Sequence, residues 1–405
     1  MRWTPAAPTA TVGGMITSEP PNAPEPPFVP GLELAAALYE DAVRPQLESA
    51  YPLLRYAAAR IGPGSEVLGF DTARSADHDW GPRLQLFLTP EDAERHGGAI
   101  TALLAERLPR QVHGWSTHFR RTGDPHNPVS HLEPATGVTV DHRVTVHHLP
   151  GWLTERFGPR AAAWIDTDPT TADWLALPQQ RLAELVAGTV LRDDHGTLTA
   201  VRRRLHWYPD QLWRHLMACQ WQRIAQEEAF VGRCAETGDE LGAAVVAARL
   251  ARDLMRLTLL QHRTYAPYGK WLGRAFARLP ADPVLGPALR AALAATDPDT
   301  RERRLCDAYE AAARAHNALG LTEPLDPARR WYHGRPYQVL HAERFAQALQ
   351  GTVTDPELRG LPLTGAVDQW ADSTDLLAHP AAVRAAVDVL SGSGGVQDGR
   401  EARSE

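Results

Sequence analysis

Cysteine is scarce in this sequence of 405 residues. There are three, Cys219, Cys234 and Cys306, which lie far apart and form no Cys-x-x-Cys pair. This pattern argues against a disulfide framework and against a zinc knuckle. The N-terminus also lacks the basic start, apolar core and small-residue cleavage site of a secretory signal. We therefore expect a cytoplasmic location.

Long apolar runs are also missing, because no stretch of about 18 uncharged apolar residues occurs. The nearest candidate, residues 241–260, is interrupted by Arg249, Arg252 and Asp253. We therefore expect no membrane partner. The formal net charge of -7 leaves no general basic surface, so we expect no nucleic-acid partner either.

What remains is the composition of a globular protein, with 43% hydrophobic and 22% charged residues. The length suffices for one large domain or two ordinary ones. Residues 1–30 are rich in proline, alanine and threonine, which predicts disorder. The remaining chain divides into an α/β region (31–165), a mainly helical substrate or cap region (166–380), and a final helix remnant with a disordered tail (381–405).

The most specific pattern is residues 64–88, GSEVLGFDTARSADHDWGPRLQLFL. In an extended segment, Asp77 and Asp79 point to one side and His78 to the other. Two carboxylates on one face need a cation between them, and Mg²⁺ is the usual one because it keeps open positions for phosphate oxygens. The Gly-Ser pair adds a flexible backbone and a hydroxyl that suit a triphosphate. The stretch therefore predicts phosphoryl or nucleotidyl transfer.

Two strands are predicted around this motif. The partial alternation after the Gly-Pro break predicts a strand at 83–88, and Thr89 is the expected N-cap of a helix that runs to about residue 108. Residues 137–148 predict a second strand, with valines on one face and Asp141 on the polar face. A carboxylate in that position can reach a cleft, so Asp141 is the candidate third acid.

Elsewhere the patterns are mainly helical. Residues 31–61 predict a short helix pair divided by two prolines. A hairpin is predicted between residues 190–191 and 198–201. Long helices are predicted over 210–279 and 284–319. These patterns predict an α/β domain followed by an all-α helical bundle.

Gly64-Ser65, Gly69 and Asp77-x-Asp79 resemble the Gly-Ser, Asp-x-Asp signature of the nucleotidyltransferase superfamily. That superfamily includes polymerase beta and the aminoglycoside and lincosamide nucleotidyltransferases. The wider string GFDTARSADHDWGPR is similar to an uncharacterised bacterial family classed as a domain of unknown function. Later segments add to this second resemblance, which spans residues 31–380 in outline: 227–242, 265–279 and 365–376.

The resemblance implies a nucleotidyltransferase-like domain with a mixed sheet, placed before the helical bundle. It implies Mg²⁺ (or Mn²⁺) held by Asp77, Asp79 and Asp141, the last because nucleotidyltransferases of this fold take their third carboxylate from a later strand. Gly64 and Ser65 are the expected nucleotide-binding residues. The substrate would be a nucleoside triphosphate, and the acceptor a hydroxyl of an unknown small molecule. Metal and positioning would supply the catalysis.

Two basic residues complete the candidate nucleotide-binding set. Lys270 lies beside Trp271 in a proline-containing break between helical stretches, where a lysine suits phosphate and an aromatic ring suits a base. A packed helix end with an extended lysine stem is the alternative. Arg233 is a candidate from the family resemblance, with a structural role as its alternative.

Two other functions fit the same residues. A nucleotide-binding or interaction module without chemistry is favoured by His78, because an apolar residue is usual between the aspartates of the signature. A metal-dependent hydrolase would combine the aspartates with imidazoles, which suit zinc or iron. Its candidate histidines are His78, His142, His147 and His148.

Near the C-terminus, Asp368, Asp372 and Asp375 predict helix caps or a second metal site.

Overall fold

The computed structural model describes residues 26–123, 129–137, 139–280 and 282–390. Most of the first segment predicted to be disordered, residues 1–25, lies outside the described residues, as does the tail 391–405. Residues 26–30 contain no helix or strand. The helix remnant expected after residue 380 is a helix over Pro380–Leu390.

The strands form one sheet of four and several short pairs. In chain order, the strands of the described residues are β1 (Ala57–Arg60), β2 (Arg83–Leu88), β3 (Gln111–Val112), β4 (Trp115–Ser116), β5 (Phe119–Arg121), β6 (Ser130–Leu132), β7 (Arg143–His148), β8 (Thr189–Asp193), β9 (Arg330–Trp331) and β10 (Gln338–Val339). The four-stranded sheet has the order β7-β2-β1-β8. Strands β7 and β2 run parallel and the other neighbours antiparallel, so the sheet is mixed, as expected.

Helices make up most of the remaining chain. The first are α1 (Gly31–Ala37), α2 (Arg44–Ala50), α3 (Pro90–Arg107), α4 (Leu149–Phe157), α5 (Thr171–Leu175), α6 (Gln179–Val186), α7 (Thr197–Arg204) and α8 (Asp210–Glu227). They are followed by α9 (Phe230–Glu236), α10 (Glu240–Gln261), α11 (Gly269–Arg278), α12 (Leu285–Ala294), α13 (Pro298–Ala318), α14 (Glu343–Gly351), α15 (Pro356–Gly360), α16 (Val367–Trp370), α17 (Thr374–Leu377) and α18 (Pro380–Leu390). Among the helices of the described residues, none is long and apolar enough to cross a membrane.

The strand and helix predicted after the Gly-Pro break are confirmed as β2 and α3. Thr89 is the N-cap of α3, and its Oγ1 accepts a hydrogen bond from the Asp92 N–H (3.1 Å). Pro90 lies in the first turn, where its missing N–H is not needed. The acidic Glu91 and Asp92 complement the positive end of the helix dipole.

Residues 31–61 differ from the predicted helix pair in two ways. Helices α1 and α2 are joined through a π-helical stretch, Leu38–Val43, instead of being divided, and Pro45 lies in the first turn of α2. The last residues form β1 instead of helix. Its three alanines favour helix in isolation, but β1 is buried between β2 and β8, so strand pairing overrides that preference.

The predicted hairpin at 190–201 is wrong, because its second half lies in α7 and its first half, β8, pairs with β1. Asp193 explains the helix start, since its Oδ2 accepts hydrogen bonds from the Thr199 N–H (2.8 Å) and hydroxyl (2.7 Å). The turn after β8 therefore leads into α7 instead of joining the two strands of a hairpin. Strand β8 lies beyond residue 165, so the sheet draws on both sides of the predicted domain boundary.

The sheet separates two apolar clusters. Because side chains alternate along a strand, Ala57 and Ala59 of β1 face one cluster and Ala58 the other. The cluster around Ala58 includes Leu86 and residues of α3 such as Ile100. The other cluster continues without a break into the helical part of the chain, so the sheet and the helices share one core.

Gly31 fills a position where no side chain fits. A Cβ there would lie 2.7 Å from Glu66 Cβ and 2.9 Å from Trp80 Nε1. We expect Gly31→Ala to lower the free energy of unfolding by about 1–3 kcal/mol, the usual effect of overpacking. The control is Gly98→Ala in α3, where a Cβ meets no atom within 4 Å and a gain of about 0.5–1 kcal/mol is expected. Urea denaturation measures both, and equal effects would contradict the packing argument.

Candidate functional site

A cleft of about 570 Å³ opens between the loops after β1 and the helical part of the chain. Of the predicted site residues, the cleft is lined by Gly64, Ser65, Asp77, Asp79 and Lys270. Its other charged lining residues come from α4, α6, α10 and the segment 368–372. Two predicted residues, Asp141 and Arg233, do not line it.

Gly64 and Ser65 follow β1 in a turn that a buried ion pair fixes. Arg60, the last residue of β1, places Nη2 2.6 Å from Glu66 Oε1 and donates two further hydrogen bonds to backbone carbonyls of the turn. Arg83, the first residue of β2, binds the same carboxylate oxygen. Gly64 has a φ of +148°, and a Cβ there would lie 2.5 Å from Arg60 Nη2. The turn therefore requires glycine.

Burial and charge set the protonation of this ion pair. Burial lowers the pKa of the Arg60 guanidinium to about 10, and the charge of Arg83 acts in the same direction. Burial raises the pKa of the Glu66 carboxyl, but the charges of Arg60 and Arg83 lower it more, so the net pKa lies below the ordinary value. Arg60 and Glu66 are therefore both charged at neutral pH, and the ion pairs tie the ends of β1 and β2 to the Gly-Ser turn.

Asp77 and Asp79 line the cleft, but they do not lie on the extended segment that the sequence predicts. Asp77 ends a 3-10 helix, and its Oδ1 lies 2.9 Å from His78 Nδ1. Asp79 has a φ of +44°, in the left-handed region that a short polar side chain tolerates. Its Oδ1 accepts a hydrogen bond from the Ser130 N–H (3.1 Å), and its own N–H donates to the Ser130 carbonyl (2.8 Å). The backbone is extended at His78 alone, because Asp77 is helical and Asp79 is left-handed.

Asp141 is placed away from the cleft. The strand predicted over 137–148 begins two residues after Asp141, which therefore lies in the preceding connection, and Val138 is outside the described residues. The Asp141 carbonyl accepts a hydrogen bond from the Phe119 N–H of β5 (2.9 Å). Strand β5 pairs with β6, and β6 supplies the Ser130 that binds Asp79. The β5–β6 pair thus contacts both residues, Asp141 through β5 and Asp79 through β6.

Lys270 lies in the first turn of α11, at the cleft. Its ammonium is 4.9 Å from the centre of the Trp271 ring and forms no ion pair with any described residue. It is the single lysine of the sequence, because the other 41 of the 42 lysine and arginine residues are arginine. A compact ammonium on a flexible stem differs chemically from a planar guanidinium. The cleft thus holds the one basic residue of this kind.

Helix α11 is fixed to the loop that follows Ser65. Trp271 stacks on Phe70, with ring centres 5.2 Å apart and planes 18° apart. Arg274 donates to the Phe70 carbonyl (2.7 Å), and Arg278 donates to the carbonyl of Leu68 (2.8 Å). The packing of α11 on this loop therefore sets the position of its first turn relative to the Gly-Ser turn.

Arg233 lies in α9 and lines a separate depression beside the turn between β9 and β10. Tyr332, Arg335 and Tyr337 share that depression with it. Because the cleft does not include Arg233, the structure does not bring it together with Lys270 or the aspartates.

Five charged residues of the cleft were not found from the sequence: Arg156, Arg181, Glu184, Arg252 and Arg256. Arg156, in α4, lies over the Trp152 ring at 5.8 Å and forms no ion pair with a described residue. Arg181 donates to the carbonyls of Arg156 and Ala378. Burial raises the pKa of the Glu184 carboxyl. Arg181 and Glu184 are charges on an amphipathic helix, a pattern typical of any solvent-exposed helix face.

The remaining charged residues come from α10 and from the segment 368–372. Arg252 Nη1 lies 2.9 Å from Asp372 Oδ2, and Arg256 donates to the Asp368 carbonyl. The Asp368 side chain accepts a hydrogen bond from the Gln179 N–H (2.8 Å), at the first residue of α6. Asp368 therefore caps α6, whereas the sequence predicts a cap on the last helix.

The charges of the cleft suit a polyphosphate with a hard cation. Lys270, Arg156 and Arg181 have no carboxylate partner among the described residues. Asp77 and Asp79 supply carboxylate oxygens, a donor set that fits a Mg²⁺ keeping its other positions for water and phosphate oxygens. Within the described part of the chain, no group of three or more His, Cys, Asp or Glu converges on one metal position. A site of this kind would depend on the phosphates to complete it.

The histidines of the hydrolase alternative are engaged elsewhere. His142 bonds to a backbone carbonyl of α3 (3.0 Å) and His147 to a threonine hydroxyl of its own strand (2.9 Å). The His148 ring accepts a hydrogen bond from the Gly151 N–H (3.1 Å) at the start of α4. Of the four candidates, His78 lines the cleft. The structure does not gather them into one centre.

The protein thus combines a mixed β-sheet with a mainly helical region and has a charged cleft beside the Gly-Ser turn. A family model described as a domain of unknown function (DUF4037) matches residues 174–272, which include Glu184 and Lys270 but not Asp77 or Asp79. A solved structure similar to this chain is that of a nucleotidyltransferase-like protein from Exiguobacterium sibiricum 255-15. It is 14% identical, with a TM-score of 0.31, over 79% of this chain and 91% of that chain. No curated protein sequence matches the chain.

Proposed function

We propose that this protein is a Mg²⁺-dependent nucleotidyltransferase, which moves a nucleoside monophosphate from a nucleoside triphosphate to a hydroxyl of a small-molecule acceptor. The observation that supports the proposal is that one cleft contains the Gly64-Ser65 turn, Asp77, Asp79 and the single lysine of the chain. Its volume of about 570 Å³ is typical of small-ligand sites. Pyrophosphate release from a nucleoside triphosphate is the measurement that tests the proposal.

The triphosphate would bind between the Gly-Ser turn and α11. Gly64 allows close approach of the backbone, and Ser65 offers a hydroxyl and an N–H. Lys270 and Arg156 present cations with no carboxylate to compete for them, and charge-assisted hydrogen bonds to phosphate are the stronger kind. These residues would orient the phosphates without taking part in bond breaking.

Asp77 and Asp79 would hold the Mg²⁺. Held by these carboxylates, Mg²⁺ would supply positive charge that stabilises the negative charge of the phosphates. Ser130 holds the Asp79 carboxylate and backbone through two hydrogen bonds, so this side chain is oriented before a ligand arrives. The role of Asp141 as a third acid stays a prediction, and its position outside the cleft does not support it.

A nucleotide-binding or interaction module without chemistry is the second candidate. It is favoured by His78, whose Nδ1 lies 2.9 Å from Asp77 Oδ1 and, when protonated, donates to an oxygen that a metal would need. Calorimetry separates the two candidates. Tight ATP binding that is unaffected by Mg²⁺, with no pyrophosphate release, would identify the module.

Replacing Lys270 with methionine is expected to weaken ATP binding about 10- to 100-fold, because a hydrogen bond to a charged group contributes about 1.5–3 kcal/mol. Isothermal titration calorimetry measures the change. Lys270→Arg is the matched control, since it keeps the charge and changes the shape, and a smaller loss is expected from it. In the wild type, bound ATP should also protect this single lysine from an amine-reactive reagent. Unchanged affinity in Lys270→Met would contradict the assignment.

A further inference from the structure

Asp368 is a buried carboxyl on the cleft that the binding roles above do not use. It lines the cleft although only 8% of its surface is exposed. Its Oδ2 accepts the Gln179 N–H at 2.8 Å. No hydrogen bond from another described residue reaches its Oδ1. Gln179 therefore anchors one oxygen, and no other described residue donates to the second.

The backbone that carries Asp368 is held on both sides. Arg256 donates to its carbonyl oxygen. The next residue, Gln369, donates from its side-chain amide to the Leu216 carbonyl (2.9 Å) and to Gln220 Oε1 (3.1 Å). A short side chain on a fixed backbone places its carboxyl with little freedom, as proton transfer in an active site requires.

Burial governs the charge of this carboxyl. It raises the pKa of Asp368 to about 6, while the Gln179 N–H and the Arg256 guanidinium lower it. Tyr208, from the segment before α8, also faces Asp368, and burial raises the pKa of its hydroxyl well above the usual value. At neutral pH Asp368 is therefore ionised, and it is a stronger base than an exposed aspartate.

We propose that Asp368 is the general base that takes the proton of the acceptor hydroxyl. This assignment rests on the nucleotidyltransferase function proposed above. The acceptor oxygen forms a bond to the α-phosphorus, and the bond from that phosphorus to the pyrophosphate oxygen breaks. The hydroxyl proton moves to Asp368 Oδ1, from which water later removes it, and pyrophosphate carries away the bonding electron pair.

The other carboxylates near the cleft are less suited to this step. Asp372 is 72% exposed and is paired with Arg252, which lowers the pKa of its carboxyl and makes it a weaker base. Glu184 accepts a hydrogen bond from Gln180 (2.8 Å). Burial raises its pKa, and Arg156 and Arg181 oppose that rise, but this longer side chain is held by a side-chain amide and not by a backbone N–H.

The test is Asp368→Asn, whose amide oxygen can still accept the Gln179 N–H. We expect pyrophosphate release from Mg²⁺-ATP, with the small-molecule fraction of a bacterial extract as acceptor source, to fall by about 10²- to 10⁴-fold. ATP affinity by calorimetry and the melting temperature should stay near the wild-type values. In the wild type, kcat should rise as the pH increases through about 6, because Asp368 loses its proton there. This acid limb of the pH profile should vanish in the variant. Asp372→Asn should keep both the rate and the limb.

Three results would overturn the assignment: an Asp368→Asn variant that keeps the rate and the acid limb, a loss of the limb in Glu184→Gln or Asp141→Asn instead, or a loss of ATP binding together with the rate. If Asp368→Asn does not fold, Asp368→Glu is the second variant. It keeps a carboxyl, so its kcat should still fall at acid pH. An Asp368→Glu protein whose kcat does not fall at acid pH would count against the proposal. A wild-type protein that releases no pyrophosphate from any nucleoside triphosphate would instead refute the nucleotidyltransferase function, and the base assignment with it.

Discussion

Glu66→Ala is expected to lower the free energy of unfolding by about 3–5 kcal/mol, because it leaves buried positive charges without their partner. The Arg60 and Arg83 side chains are 3% and 18% exposed, and both bind the same oxygen of Glu66. The turn that carries Gly64 and Ser65 would lose its anchor at the same time, so ligand affinity should fall as well. Chemical denaturation measures the change in stability.

Glu40→Ala is the matched control for this prediction. Glu40 pairs with Arg44 on the surface, where each side chain is 43% exposed. An exposed pair contributes less than about 1 kcal/mol, so this variant should remain close to the wild type. Equal losses of stability in the two variants would show that the effect of Glu66→Ala does not come from the burial of its ion pairs.

Asp79→Asn is expected to reduce pyrophosphate release on the order of 10³-fold, because it removes a carboxylate charge from a metal that stabilises the transition state by several kcal/mol. The asparagine keeps a side-chain oxygen for the Ser130 N–H, so the loop should stay folded. Asp77→Asn should behave similarly. Steady-state pyrophosphate release and the melting temperature of each variant, measured together, separate loss of chemistry from loss of structure.

Asp71→Asn, in the same motif, is the comparison. The Asp71 carboxylate accepts hydrogen bonds from the Gly31 N–H (2.7 Å) and from Trp80 Nε1 (3.0 Å), so its contacts are structural. We expect a lower melting temperature with the activity per folded molecule kept. A folded Asp71→Asn protein that is as inactive as Asp79→Asn would contradict the division between metal-holding and structural aspartates.

The parts of the fold that could be predicted from sequence are those set by local chemistry. The apolar strand and the Thr89 cap fix β2 and α3 wherever they lie in the fold. The Gly-Ser turn and the two aspartates line one cleft because they belong to one short stretch of chain, and their binding roles stay a prediction. Lys270 was expected in the proline-containing break, and it lies just after that break, in the first turn of α11.

The parts that could not be predicted depend on contacts between distant segments. The three alanines of β1 favour a helix, and only the pairing of this segment with β2 and β8 makes it a strand. Asp141 was expected on β7, but the connection that bonds to β5 delays the start of that strand. Arg156, Arg181 and Asp368 reach the cleft through the packing of helices, which leaves no periodic signal around any single residue.

The most direct test of the account is pyrophosphate release by the wild-type protein from each of the four nucleoside triphosphates, with Mg²⁺, with Mn²⁺ and with chelator. The small-molecule fraction of a bacterial extract would supply the acceptor. We expect release that requires the divalent metal and is lost in the Asp77→Asn/Asp79→Asn double variant. No release with any nucleotide, together with ATP binding that does not depend on Mg²⁺, would contradict it.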